Sequence, residues 1–274
     1  MRRILSYRIG VAMVCALSVT WCSQATVFTL NQTGTFGNLD QTSSGVTGSQ
    51  ALRNNSCVPT SVANGLIWLN NFQPVTNLII GNGYPTVDSL STKMGTTTGG
   101  TSTTGMVNGT TSYLGATGQN VNPPASVFDS TLAPTESYLY NSLLNNRATE
   151  FWISWVGGGA HSVTLTGIQY DDQTNAGFVS FVDPFGPGNG GAGNAVQINN
   201  ASFQAAAGGG SIFINGGYTG GAAANGLDQD NAAQSNTGTI SFAMTEVVPE
   251  PATASLLALA VMGLGLKRSR RMAR

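Results

Sequence analysis

Charge is scarce in this chain. Only 8% of its 274 residues are Asp, Glu, Lys or Arg, against roughly 25% in an average soluble domain. Histidine occurs once, as His161, and cysteine three times. The cations that exist sit mostly at the ends. Of 11 Lys and Arg, Arg2, Arg3 and Arg8 lie before residue 26, and Lys267, Arg268, Arg270, Arg271 and Arg274 lie after residue 266. Between them remain Arg53, Lys93 and Arg147, against 11 of the 12 Asp and Glu, a net charge of −8. Such a body repels phosphates and argues against nucleic acid as a partner. One histidine with so few cysteines argues against a zinc site and leaves no disulfide framework. No apolar run reaches the roughly 20 residues of a comfortable membrane span.

The two ends carry addresses rather than fold. Residues 1–25 combine the basic Arg2, Arg3 and Arg8, an apolar run over 9–21 and the small-x-small Ser23-Gln24-Ala25, the anatomy of a secretory signal peptide. Cys15 and Cys22 leave with it. Val19-Thr20-Trp21 before Cys22 lacks the small residues a lipoprotein signal needs. At the other end, Val248-Pro249-Glu250-Pro251 leads into a 15-residue apolar run over 252–266 and a basic tail. That tail stays cytoplasmic by the positive-inside rule. The Pro-Glu-Pro, the short apolar helix and the arginine cluster over 248–274 resemble the PEP-CTERM sorting signal of Gram-negative bacteria. The resemblance implies export, transient anchoring by a transmembrane helix in the inner membrane, then processing by an exosortase-type enzyme and release to the cell surface or extracellular matrix. A permanent C-terminal anchor is the physically neighbouring reading.

Residues 26–247, about 220 in number, suit one domain. A strand is expected over 27–30, then a loop rich in Gly, Thr, Ser and Asn. Val58, Val62, Leu66 and Leu69 recur at helical spacing and predict a helix over 57–72. Asn55 or Ser56 is its natural N-cap, and Pro59 falls in the first turn, where a missing N–H costs nothing. Residues 77–124 read as the least structured part, with short helices over 86–94 and 106–114 and a flexible Thr/Gly loop over 96–104. A further helix is expected over 135–146. From there the pattern turns to strands: 150–156, 161–170 and 177–183 as an antiparallel meander, then 196–198, 211–218 and 239–247. Helices first and an antiparallel sheet afterwards make an α+β chain.

With the leader gone, Cys57 is the only thiol and His161 the only imidazole. Nucleophilic cysteine chemistry needs a thiolate, and a helix N-terminus with an adjacent imidazolium lowers a thiol pKa by several units. Cys57 opens the helix over 57–72, where orphan N–H groups converge, and those groups also suit an oxyanion. Asp183 ends the partner of the strand that starts at His161, so it can reach the imidazole across the hairpin. Singly, a helix-start cysteine and a strand histidine are ordinary structural residues; in this order, with Asp183-Pro184 behind them, they read as an ordered triad. Asp171-Asp172 reads as a solvated hairpin tip. Asp228-Gln229-Asp230-Asn231 lacks the later ligands of a calcium loop, and Gly157-Gly158-Gly159 lacks the helix and lysine of a phosphate loop.

Gln50, then Cys57-Val58-Pro59-Thr60-Ser61 at a helix start, then Ala160-His161-Ser162-Val163-Thr164 and Asp183-Pro184, resembles the papain-like cysteine peptidases. The likeness is to the bacteriocin-processing (double-glycine) branch and its relatives. The resemblance implies a papain-like fold, with the Cys57 helix packed on a C-terminal antiparallel sheet. It further implies a cysteine hydrolase acting on peptide or protein with no cofactor and no metal. Cys57 is then the nucleophile, His161 the proton carrier, Asp183 its orienting carboxylate and Gln50 an oxyanion-hole donor, with Asn54 or Asn55 as alternatives for the last role. Val58 stands where those enzymes carry glycine, which leaves a second expectation open: a catalytically silent fold serving as a matrix or surface-binding protein. A transglutaminase or amidase would use the same triad.

Overall fold

In the computed structural model, residues 26–72, 78–117, 125–155, 158–185, 194–206, 212–215 and 237–248 are described. The expected leader, the apolar run over 252–266 and the stretch 228–231 lie outside them. Five helices are present among the described residues: α1 (Gln50–Asn54), α2 (Cys57–Phe72), α3 (Tyr84–Met94), α4 (Thr103–Thr117) and α5 (Glu136–Leu144). The strands are β1 (Val27–Asn31), β2 (Ser126–Leu132), β3 (Ala148–Trp155), β4 (Ala160–Asp171), β5 (Ala176–Asp183), β6 (Val196–Ala205), β7 (Ile212–Asn215) and β8 (Thr237–Val247).

The strands make one eight-stranded antiparallel sheet in the order β1-β4-β3-β8-β7-β6-β5, with β2 added on β8. β5 also pairs with β4. The run β4-β3-β8-β7-β6-β5 therefore closes on itself, and each of its strands has at least two neighbours. Closure leaves no ring strand as an open edge for another chain to extend. Alternation along each strand divides the side chains. Phe151, Ile153, Val163, Leu165, Val179, Phe181, Ile212, Ile214 and Ile240 form one core inside the ring, where Phe151 and Phe181 meet edge-on at 5.5 Å. Leu139 and Leu143 of α5 join it.

A second core lies on the outer face. Ala148, Phe242 and Met244 pack there with Val62, Leu66 and Leu69 of α2, Val87 and Leu90 of α3, and Met106, Tyr113 and Leu114 of α4. α2 is buried along most of its length, as a helix without a charged residue should be. Each fully buried Leu or Val there is worth about 1.5–3 kcal/mol relative to leaving it in water.

The structure departs from the sequence reading in four places. β6 runs on to Ala205, past the strand expected over 196–198. α3 and α4 are longer than the short helices expected within 77–124, and α4 begins inside the expected loop at Thr103. Within α4 a glycine allows close contact: a Cβ on Gly109 would lie 2.6 Å from the Met94 backbone. β2 was not anticipated, because its residues are mostly exposed and show no apolar alternation. α1 was not anticipated either; its five residues bury no side chain and carry no periodic signal.

Two carboxyls are buried beneath α2. Glu150 of β3 and Glu246 of β8 are both 0% exposed. Glu246 pairs with Ala148 and Glu150 with Met244, so the two are diagonal neighbours on one face. The two carboxyls interact, and no oxygen of either makes a well-formed hydrogen bond. Burial, then repulsion from Glu246, pushes Glu150 well above the carboxylate range; burial pushes Glu246 up to about 8. The pair is protonated where ordinary glutamates are ionised. On the α2 side, a Cβ on Gly65 would run into Glu150 Oε1.

Candidate active site

Cys57 is the first residue of α2 and is half-buried. The first helical hydrogen bond runs from Thr60 N–H to the Ser56 carbonyl at 3.1 Å. The expected side-chain cap is not used. Ser56 Oγ donates backward to the Leu52 carbonyl at 2.8 Å, and Asn55 Nδ2 donates to the Ala51 carbonyl at 2.9 Å. Both side chains finish α1 and leave the positive end of α2 to the thiol. The backbone N–H groups of Ser162 and Val58 both act on the Cys57 sulfur to favour its charged form.

His161 is the second residue of β4, and Asp183 is the last of β5. Thr164 lies opposite Val182, so Asp183 and His161 both lie just past that pair, on adjacent strands. His161 Nε2 and Asp183 Oδ1 are 2.7 Å apart, with the two side chains 3% and 0% exposed. A carboxylate only accepts, so Nε2 carries a proton there and Nδ1 is the nitrogen left for the thiol. Asp183 Oδ1 also accepts the Phe185 N–H at 2.8 Å, which fixes the carboxylate. Cys57 and His161 line the same cleft and each shifts the titration of the other.

The electrostatics follow from these contacts. Burial by itself raises the Cys57 thiol; the hydrogen bond and positive charge of His161, helped by the Ser162 and Val58 N–H groups, outweigh it and leave the thiol lowered. Burial by itself lowers His161; the charge and hydrogen bond of Asp183, then those of Cys57, push it up to about 10. A lowered thiol beside a raised imidazole favours thiolate and imidazolium.

A buried polar seam holds the two reacting elements in register. Ser61 Oγ of α2 and Ser162 Oγ of β4 are 2.7 Å apart. Ser61 Oγ donates to the Val58 carbonyl at 2.9 Å, so Ser162 is the donor between the hydroxyls. Thr164 Oγ1 donates to the Ser61 carbonyl at 2.7 Å. Gln41, fully buried, ties the other side. Its N–H reaches the Pro184 carbonyl at 2.8 Å and its Nε2 the Asn54 carbonyl at 2.7 Å. Sequence reasoning passed over Gln41 and the Ser61–Ser162 pair. A serine at position 61, on the apolar side of a helix with no charge, was the available signal.

Gln50 is placed apart from the thiol. It is exposed on α1, its Nε2 donating to Asn54 Oδ1 at 2.7 Å and its Oε1 accepting from Arg53 at 2.7 Å. Asn54 and Asn55, in contrast, line the cleft that holds Cys57 and His161. This cleft has a volume of about 580 Å³ and is walled by Thr98–Thr101, Trp152, Trp155 and Gly158–Ala160. Its lining has no charged side chain other than the Cys57–His161 pair.

Residues 247–271 match the PEP-CTERM protein-sorting motif. The motif marks an exported, membrane-held protein processed by an exosortase-type enzyme, and it covers the tail alone. No curated protein and no solved structure matches the chain. Among the described residues, no helix is long and apolar enough to cross a membrane, and no group of three His, Cys, Asp or Glu is placed to hold a metal ion.

Proposed function

We propose that this exported protein is a papain-like cysteine hydrolase, a peptidase acting through Cys57, His161 and Asp183. The observation that carries the reading is the placement of Cys57, at a helix N-terminus, and of His161, held by Asp183 at 2.7 Å, in one open cleft. In this reading the Cys57 thiolate attacks the scissile carbonyl. The carbonyl oxygen becomes an oxyanion held by the Cys57 backbone N–H and the Asn54 carboxamide, which Gln50 orients. His161 Nδ1–H gives its proton to the leaving amine as the C–N bond breaks, leaving a thioester. Neutral His161 then takes a proton from water, whose oxygen attacks the thioester; the acid leaves and the ion pair returns. Asp183 keeps Nε2 protonated and the ring oriented throughout.

The test is hydrolysis of a fluorescent-quenched casein by the full chain. Cys57→Ala removes the activity in this reading; undiminished hydrolysis by that variant refutes it. One observation favours a second reading, a catalytically silent fold that binds matrix or surface components. Val58 lines the cleft beside the thiol, and its side chain is 3% exposed, fixed in the core where the resembling enzymes carry glycine. Normal Cys57 labelling by iodoacetamide with no hydrolysis of any protein substrate would select that reading.

A further inference from the structure

We infer that the protein, while anchored, rests the Val247 end of its sheet on the lipid surface and opens the Cys57–His161 cleft at the opposite end, away from the membrane. The strand register carries the first step. β8 ends at Val247, where the sorting motif begins, and Val248 is still 1% exposed in the core. At that end Ala148 of β3 faces Glu246 and Ser126 of β2 faces Val247. At the other end Trp155 faces Gly238, and Ser154 faces Ala160 beside His161. Trp155, Ala160 and His161 line the cleft. The two ends are seven residue steps apart along β3, about 23 Å at ~3.3 Å per residue. Only Pro249, Glu250 and Pro251 separate Val248 from the apolar run that starts at Ala252, a tether of at most ~14 Å when extended.

The chemistry of the Val247 end suits a bilayer surface. Phe128 of β2 and Leu144 at the end of α5 are 54% and 53% exposed. Arg147, one of three cations in the body, lies between α5 and β3 with its guanidinium 3.4 Å from the Phe128 ring centre. An exposed aromatic, an exposed aliphatic and an arginine at one site are groups that settle at the lipid headgroup boundary. Of the acids at this end, Glu246 is buried and held in its neutral form, and Asp129, next to Phe128, stands opposite Thr245, one ladder step in from Glu246.

One consequence follows: substrates reach the cleft from the aqueous exported compartment rather than from the lipid. The inference rests on the register and the sorting motif and holds whether Cys57 is catalytic or silent.

The test uses the full chain with Cys15→Ser and Cys22→Ser, which leaves Cys57 as the sole thiol. Bimane is attached there, or at Ser126→Cys in a Cys57→Ser background. The labelled protein is reconstituted in phosphatidylcholine and phosphatidylglycerol vesicles with nitroxide-headgroup lipid, and the floated fraction is measured. Bimane at position 126 is expected to be quenched severalfold and bimane at Cys57 to be unchanged. Comparable quenching at both positions, no quenching at position 126, or failure of the chain to float with the vesicles would each overturn the inference.

Discussion

Replacing Glu246 by glutamine tests the buried carboxyl pair. A carboxyl raised in the folded state stabilises the protein fully below its unfolded pKa, and that stability is lost as pH rises through the folded value. Glu246 moves from an ordinary 4.5 to about 8. At ~1.4 kcal/mol per pKa unit, the loss between pH ~4.5 and pH ~8 approaches about 5 kcal/mol as a ceiling. A domain of this size has a total stability of about 5–15 kcal/mol, so the loss is a large fraction of it. The wild-type protein is therefore most stable in mild acid and weakens toward pH ~8. His161, raised to about 10, contributes a loss of the same sign from pH ~6.5 upward, but both proteins share it and it cancels in the difference. Glu246→Gln keeps the shape, removes the titration, and leaves Glu150 without a carboxylate neighbour. Urea unfolding followed by tryptophan fluorescence at pH 5 and pH 8.5 measures the effect. The variant is expected to gain stability over wild type at pH 8.5 and not at pH 5. Parallel pH dependences for the two proteins would refute the reasoning.

Asp183→Asn removes the charge that holds His161 protonated, so the pH at which Cys57 alkylates should move up toward the ordinary thiol range, and hydrolysis should fall by ~10²-fold or more; stopped-flow alkylation and the casein assay read the two effects. Ser61→Ala leaves the Ser162 hydroxyl buried without its acceptor, and should cost about 1–3 kcal/mol in urea unfolding while slowing Cys57 alkylation. With Ser162→Ala added, the total loss should be smaller than the sum of the two single losses. Gly65→Ala drives a methyl into Glu150 Oε1 and should cost about 1–3 kcal/mol, measured as a lower Tm, with the loss relieved when Glu150→Ala is combined with it.

Much of the site was legible because its residues announce themselves. A unique cysteine at the start of an apolar periodic segment places itself at a helix N-terminus, and α2 runs over 57–72 as its spacing predicts. His161 and Asp183 sit on neighbouring strands of one hairpin, so their meeting needed only local register. Gln50 shows the limit of spacing arguments: α1 turns its side chain to Arg53 and Asn54, a choice made by a five-residue helix with no periodic signal. Closure of the sheet was hidden for another reason. Which strand pairs with which is decided by long-range contacts, such as β3 with β8 across some ninety residues, and alternation within a strand carries no partner's name. Glu150 looked like the polar lead of a strand, and Glu246 like the end of another. Only the diagonal placement of Ala148 opposite Glu246 shows that they share one buried site.

The pH dependence of Cys57 alkylation by iodoacetamide tests the ion pair most directly, because in the chain with Cys15→Ser and Cys22→Ser no other thiol contributes. The contacts around the sulfur predict fast alkylation well below the ordinary thiol range of about 8.5, a plateau up to the region near pH 10 where His161 loses its proton, and loss of the low-pH reactivity in His161→Ala. A single titration at the ordinary thiol value, unchanged by His161→Ala, would contradict the thiolate–imidazolium pair and the hydrolase built on it.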